Sequence, residues 1–222
     1  MRDETPPLST LPGLVLRALR EVPLGLLLAL GTGLCALLAG WQIAGALGIP
    51  ASALVRDPAA IAKHPIYYGF FSNLGVLLWS ATAGGLLVGG LALRDSPGEE
   101  RRAAFLLWFG AVTVLLALDD VYLLHEDVYR RYLPGSSVVP LALHASLLLG
   151  GLLLFRAHVL ASGFGALLIS LAGFAVSALF DVTVSSPTPL HHYLEDGAKL
   201  LGIVAWAGYF GRESVRALRS RG

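Results

Sequence analysis

Charge is scarce in this chain. Only 14% of its 222 residues are Asp, Glu, Lys or Arg, where soluble domains average about 25%. Cysteine is scarcer still: Cys35 stands alone. That excludes an intrachain disulfide and any cysteine-based zinc motif. No phosphate-cradling glycine loop, nucleophile elbow or His-Glu-x-x-His pair occurs. With 16 Lys+Arg against 15 Asp+Glu the chain is nearly neutral. Its basic residues sit in small clusters at segment ends, which argues against nucleic acid as a partner. The first residues, MRDETPPLSTLPG, lack the basic-then-apolar build of a cleaved signal peptide, so the first hydrophobic stretch is expected to remain in the mature protein.

Long apolar runs fill the space that charge leaves. Hydrophobic residues make up 55% of the chain, mostly Leu, Ala and Val, with 26 glycines among them. A helix crossing a bilayer needs about 20 apolar residues. Six stretches are predicted to do so: 24–48, 66–93, 103–125, 138–158, 162–184 and 190–210. Pro50, Pro58 and Pro65 punctuate the first connection, and Pro134-Gly135-Ser136-Ser137 another. Ser185-Ser186-Pro187-Thr188-Pro189 opens the last stretch. The weakest break falls between Arg156 and Gly163. The expected fold is therefore all-α, a single domain over 1–222 forming a six-span bundle. Residues 1–23 form an interfacial segment and 211–222 a basic tail.

Six spans place both termini on one side. Arg2, Arg17, Arg20, Arg94, Arg101, Arg102, Arg156, Arg212, Arg216, Arg219 and Arg221 fall there. Only Arg56, Lys63, Arg130 and Arg131 fall on the other. By the positive-inside rule both termini are expected to be cytoplasmic, in a multi-pass protein of the cytoplasmic membrane.

A set of ionisable residues within the spans shares a depth. Asp119, Asp120, His144, Asp181, His192, Glu195, Asp196 and Lys199 all fall in the outer third of their spans. Charge inside a bilayer is expensive and usually faces a bundle interior, where it marks a site. At 100° per residue Asp119, Tyr122 and Glu126 form one helical stripe. His192, Glu195, Asp196 and Lys199 share a face on the last span. Carboxylates and imidazoles in such stripes can ligate Zn, Mn or Fe. The expected metal ligands are Asp119, Glu126, His144, His192 and Asp196. Asp120, Asp181 and Lys199 are expected as catalytic or supporting groups, and Glu195–Lys199 as an i,i+4 ion pair.

Each residue also has a plainer reading. Glu126 could simply end a helix at water. Asp181 could bond locally to Ser177. Ser72 and Asn73 could pack helices. His158, at the opposite face, is left outside the site. The functional expectation is a metal-dependent membrane enzyme, a hydrolase acting on a lipid or other amphiphile. The alternative is a proton- or ion-coupled carrier using the same cluster, with Lys199 as a movable counter-ion. A structural membrane subunit is the third possibility. Beyond membrane lipid and such a substrate, the sequence implies no partner and no oligomeric state.

Overall fold

The structure, a computed structural model, describes residues 24–55, 58–65, 67–124, 138–183 and 188–220. The described residues are helical, with no strand among them. The chain divides into two units, 1–68 and 69–222.

In the first unit, helix α1 spans Leu24–Leu47, about 36 Å at 1.5 Å per residue. It has no charge and no proline. Its described large side chains, among them Leu24, Leu34, Trp41 and Leu47, are exposed rather than buried within the unit. Thr32 returns its hydroxyl to the Leu28 carbonyl at 2.9 Å, which satisfies it without a neighbour. The stop is chemical. Gly48 takes φ 68°, a conformation glycine adopts without Cβ strain. The Gly48 N–H then reaches the Gly45 carbonyl, and the Ile49 N–H reaches the Ala44 carbonyl at 3.0 Å, closing a Schellman cap. A 3₁₀ turn (Ala51–Leu54) and a short α2 (Pro58–Ala62) follow.

The second unit contains α3 (Phe70–Leu93), α4 (Glu100–Tyr122), α5 (Val138–Leu154), α6 (Arg156–Ala161), α7 (Gly165–Thr183) and α8 (Pro189–Arg219). The main packing runs α7 on α8, α8 on α3 and α3 on α4, and α5 leans on α4. The buried stripe of α3 includes Gly75, Trp79, Ala83, Leu86 and Gly90. That of α8 includes Gly202, Ile203, Trp206, Tyr209, Phe210 and Glu213. Both repeat at three and four residues, as a helix face must. Between them Trp79, Phe109, Trp206 and Phe210 form the aromatic centre of the core. One polar pin crosses it. The Trp206 indole donates to Thr113 Oγ1 at 3.1 Å, and Thr113 donates to the Phe109 carbonyl at 2.6 Å.

Among the described residues, three helices are long and apolar enough to cross a membrane: α1 through Leu30–Leu47, α3 and α4. The apolar stretches of α5 (Ala142–Leu154) and α7 (Gly165–Asp181) are shorter. Several predicted ends shift. α3 begins at Phe70 because Gly69 turns left-handed, φ 69°. α4 ends at Tyr122 because Leu123 does the same, φ 49°. The weak break near residue 156 is a kink at Phe155, the single-and-a-half turn of α6, and a reversal at Gly163, φ 72°. α8 starts where the proline-rich segment predicts. Thr188 caps it by accepting from the His191 N–H, with Pro189 in the first turn.

Candidate functional site

Asp119 and Asp120 end the buried part of α4. Consecutive helical residues diverge by about 100°, so these two carboxylates serve different neighbours.

Asp120 turns toward α8, where Lys199 Nζ donates to its Oδ1 in a direct ion pair. The Asp120 side chain is 8% exposed and that of Lys199 32%. The pair faces a small open pocket that Ser72 and Gly75 of α3 and Asp196, Leu200 and Ile203 of α8 also line. Gly75 matters here. A Cβ at that position would lie 3.1 Å from Ile203 Cδ1 and 3.8 Å from Asp120 Oδ2, so glycine spares a tight contact with the Ile203 side chain beside the carboxylate. The space measures ≈ 30 Å³, room for a water or two or a small ion.

Asp119 turns the other way, toward α5. It is 8% exposed, and its Oδ2 lies 4.0 Å from Nδ1 of the half-buried His144. That distance exceeds a hydrogen bond but fits two groups that share a proton through a small movement, or one ion between them.

The other sequence-derived residues fall as follows. Asp196 reaches the Asp120–Lys199 pocket. His192 lies exposed on the first turns of α8, Glu195 is half-buried one turn before Lys199, and Asp181 is exposed near the end of α7. Glu126 lies outside the described residues. Among the described residues no group of three His, Cys, Asp or Glu comes close enough to hold a metal ion. Lys199 thus has a cross-helix partner, Asp120, that intrahelical spacing does not reveal.

A second polar network lies at the opposite end of α8. Glu213 is 2% exposed. It bonds to Arg216 at 2.8 Å and lies 3.2 Å from His158 Nε2. Tyr209 Oη and Ser162 Oγ share a 2.7 Å hydrogen bond beside it. The signal was present in the heptad-like spacing: the buried stripe 202, 203, 206, 209, 210 continues to 213 and 217, beyond the point where the apolar run ends.

The sequence profile of a family described as a domain of unknown function, DUF8692, matches residues 26–212. The chain belongs to this family. The match takes in Asp119, Asp120, His144, Asp196 and Lys199. No curated protein and no solved structure matches the chain.

Proposed function

We propose that this DUF8692 protein is a multi-pass protein of the cytoplasmic membrane that carries protons or a small cation through the charged site between α4 and α8. The observation that carries this reading is the Asp120–Lys199 pair. Two opposite charges inside an apolar bundle repay their desolvation poorly as a stability device. In membrane helices they commonly line an ion or proton path. The small pocket beside them supports the same reading, since ≈ 30 Å³ suits water or an ion. Asp196 and Ser72 add two more oxygen-bearing side chains to its wall. The accompanying topology has six spans with both termini cytoplasmic. α1, α3 and α4 have the length and apolar content of a span, and α8, at 31 residues, has the length.

Asp119 and His144 favour a second reading, the metal-dependent membrane enzyme. Together they offer one carboxylate and one imidazole, a pairing that Zn, Mn and Fe accept. The described residues do not complete the set, because a catalytic zinc takes three protein ligands. A bound divalent ion would polarise an oxygen or activate a water for hydrolysis of an amphiphile. The remaining work of this chain's own residues would be to orient the ion's ligands and keep them deprotonated.

Two measurements on one preparation separate the readings. Metal analysis of the purified protein and dissipation of an imposed pH or cation gradient in liposomes are run side by side. Gradient dissipation without stoichiometric metal supports the carrier. A stoichiometric transition metal, a melting temperature lowered by chelator, and a tight vesicle would replace it with the enzyme.

A further inference from the structure

The arginine-rich end of the second unit holds a buried carboxylate that the site above does not use. Glu213 lies fourteen residues beyond Lys199, about 21 Å along α8. It is 2% exposed, and a carboxylate so enclosed must be paired. Arg216 Nη1 donates to its Oε1 at 2.8 Å, Arg212 Nε lies 3.8 Å from the same oxygen, and His158 Nε2 lies 3.2 Å from Oε2.

The same arginines hold the α6–α7 turn. Arg212 donates to the Ser162 and Gly163 carbonyls at 2.8 Å each, and Arg216 reaches the Ser162 carbonyl at 3.4 Å. These carbonyls follow the end of α6, where a helix leaves acceptors without intrahelical partners. Cationic side chains suit that position. The turn is thus fixed to α8 by contacts that radiate from Glu213.

His158 brings an imidazole to this network, the side-chain type that exchanges a proton in the physiological range. Its ring packs 4.4 Å from that of Phe105, and its side chain is 25% exposed, so protons can reach it. We propose that His158 and Glu213 form a proton-binding site at this end of the bundle, whose occupancy sets how firmly the α6–α7 turn is clamped to α8. With the proton on, imidazolium meets carboxylate and the contact is a charged pair. With it off, a neutral ring donates to the carboxylate and the bond weakens.

α3 meets this stretch of α8 through Gly85 and Gly89, which bring no charge. α8 presents Arg212, Arg216 and the Tyr209 hydroxyl, and the turn presents Ser162. α4 presents Phe105, while its Arg101 is bonded to the Leu154 carbonyl and its Arg102 to Glu99. α7 brings apolar Leu167 to the adjoining core. Burial pushes the Glu213 carboxyl up, but the His158 bond and the charges of His158 and Arg216 outweigh this and hold it below the ordinary carboxylate range. Glu213 therefore stays ionised into acid. The charged pair is therefore the acid form of the contact, and it gives way to the neutral one as pH rises.

Hydrogen exchange of the intact protein in lipid nanodiscs tests the site. It is followed from pH 5.5 to 8 after correction for intrinsic rates. Amides of α6 and of residues 162–164 should exchange about tenfold more slowly at the acid end. His158→Gln keeps a hydrogen-bond donor but cannot titrate, and should flatten the profile. Glu213→Gln keeps the shape without the charge, and should shrink the step. Lys199→Met should leave it intact, which separates this site from the transport reading. A flat profile in the unmodified protein, or a full step surviving in His158→Gln or Glu213→Gln, would overturn the proposal.

Discussion

Replacing Gly173 with alanine should force α7 away from α8. A Cβ at Gly173 would sit 2.8 Å from the Ala198 carbonyl oxygen and 2.9 Å from the Cα and N of Gly202. Ordinary contact begins at 3.4 Å, so the gap must widen by about 0.6 Å. All three obstacles are backbone atoms, and no rotamer change relieves them. A gap of this size forfeits about a quarter to a half of each dispersion contact along the crossing. Overpacking in well-packed cores costs about 1–3 kcal/mol. Alanine's helix preference over glycine offsets up to about 1 kcal/mol of that. The expected net loss is about 1–2 kcal/mol. Gly208→Ala on α8 is the control, because its Cβ would meet nothing within 4 Å among the described residues. It should be neutral or slightly stabilising. Graded denaturation in mild micelles, read by tryptophan fluorescence, compares the two. A Gly173→Ala protein as stable as Gly208→Ala would refute the close crossing.

Three further outcomes are expected. Lys199→Met should cost about 3 kcal/mol by leaving the buried Asp120 carboxylate without this cation, Asp120→Asn should cost less, and the double variant no more than Lys199→Met; a thermal-stability cycle giving additive losses would mean that the two do not interact. Thr113→Val removes the acceptor of the fully buried Trp206 indole and should cost about 1–3 kcal/mol, while Thr113→Ser retains it; equal melting of both variants would contradict the bond. Cysteine introduced at Ser137 should react with an impermeant thiol reagent in intact cells while cysteine at Ser96 stays silent; the reverse pattern would invert the topology.

The helices were legible because their ends are chemical. Gly48 stops α1, and Thr188-Pro189 starts α8, each through a cap that sequence spacing exposes. The grouping of side chains was less legible. A stripe drawn along α4 joins Asp119 to Tyr122 and Glu126, but whether α5 or α8 lies on a given flank is decided by packing. That decision gives Asp119 to His144 and Asp120 to Lys199. Sequence spacing finds Glu195 for Lys199 because both lie on one helix. It has no view of a partner 79 residues earlier. Glu213 escaped for another reason. Hydropathy ends the last span near residue 210, yet the buried stripe of α8 runs on to Ala217. Periodicity, followed past the apolar run, would have marked it.

Ion movement through the Asp120–Lys199 site is measured most directly in proteoliposomes carrying an internal pH-sensitive dye. Protein is reconstituted at matched density and an inward proton gradient is imposed, with and without a series of monovalent cations. The unmodified protein should dissipate the gradient in a chelator-insensitive manner. Asp120→Asn and Lys199→Met, shown folded by their melting curves, should slow that dissipation to the rate of empty vesicles. Equal rates in the unmodified protein and both variants, or no dissipation above empty vesicles under any cation, would contradict a carrier working through this pair.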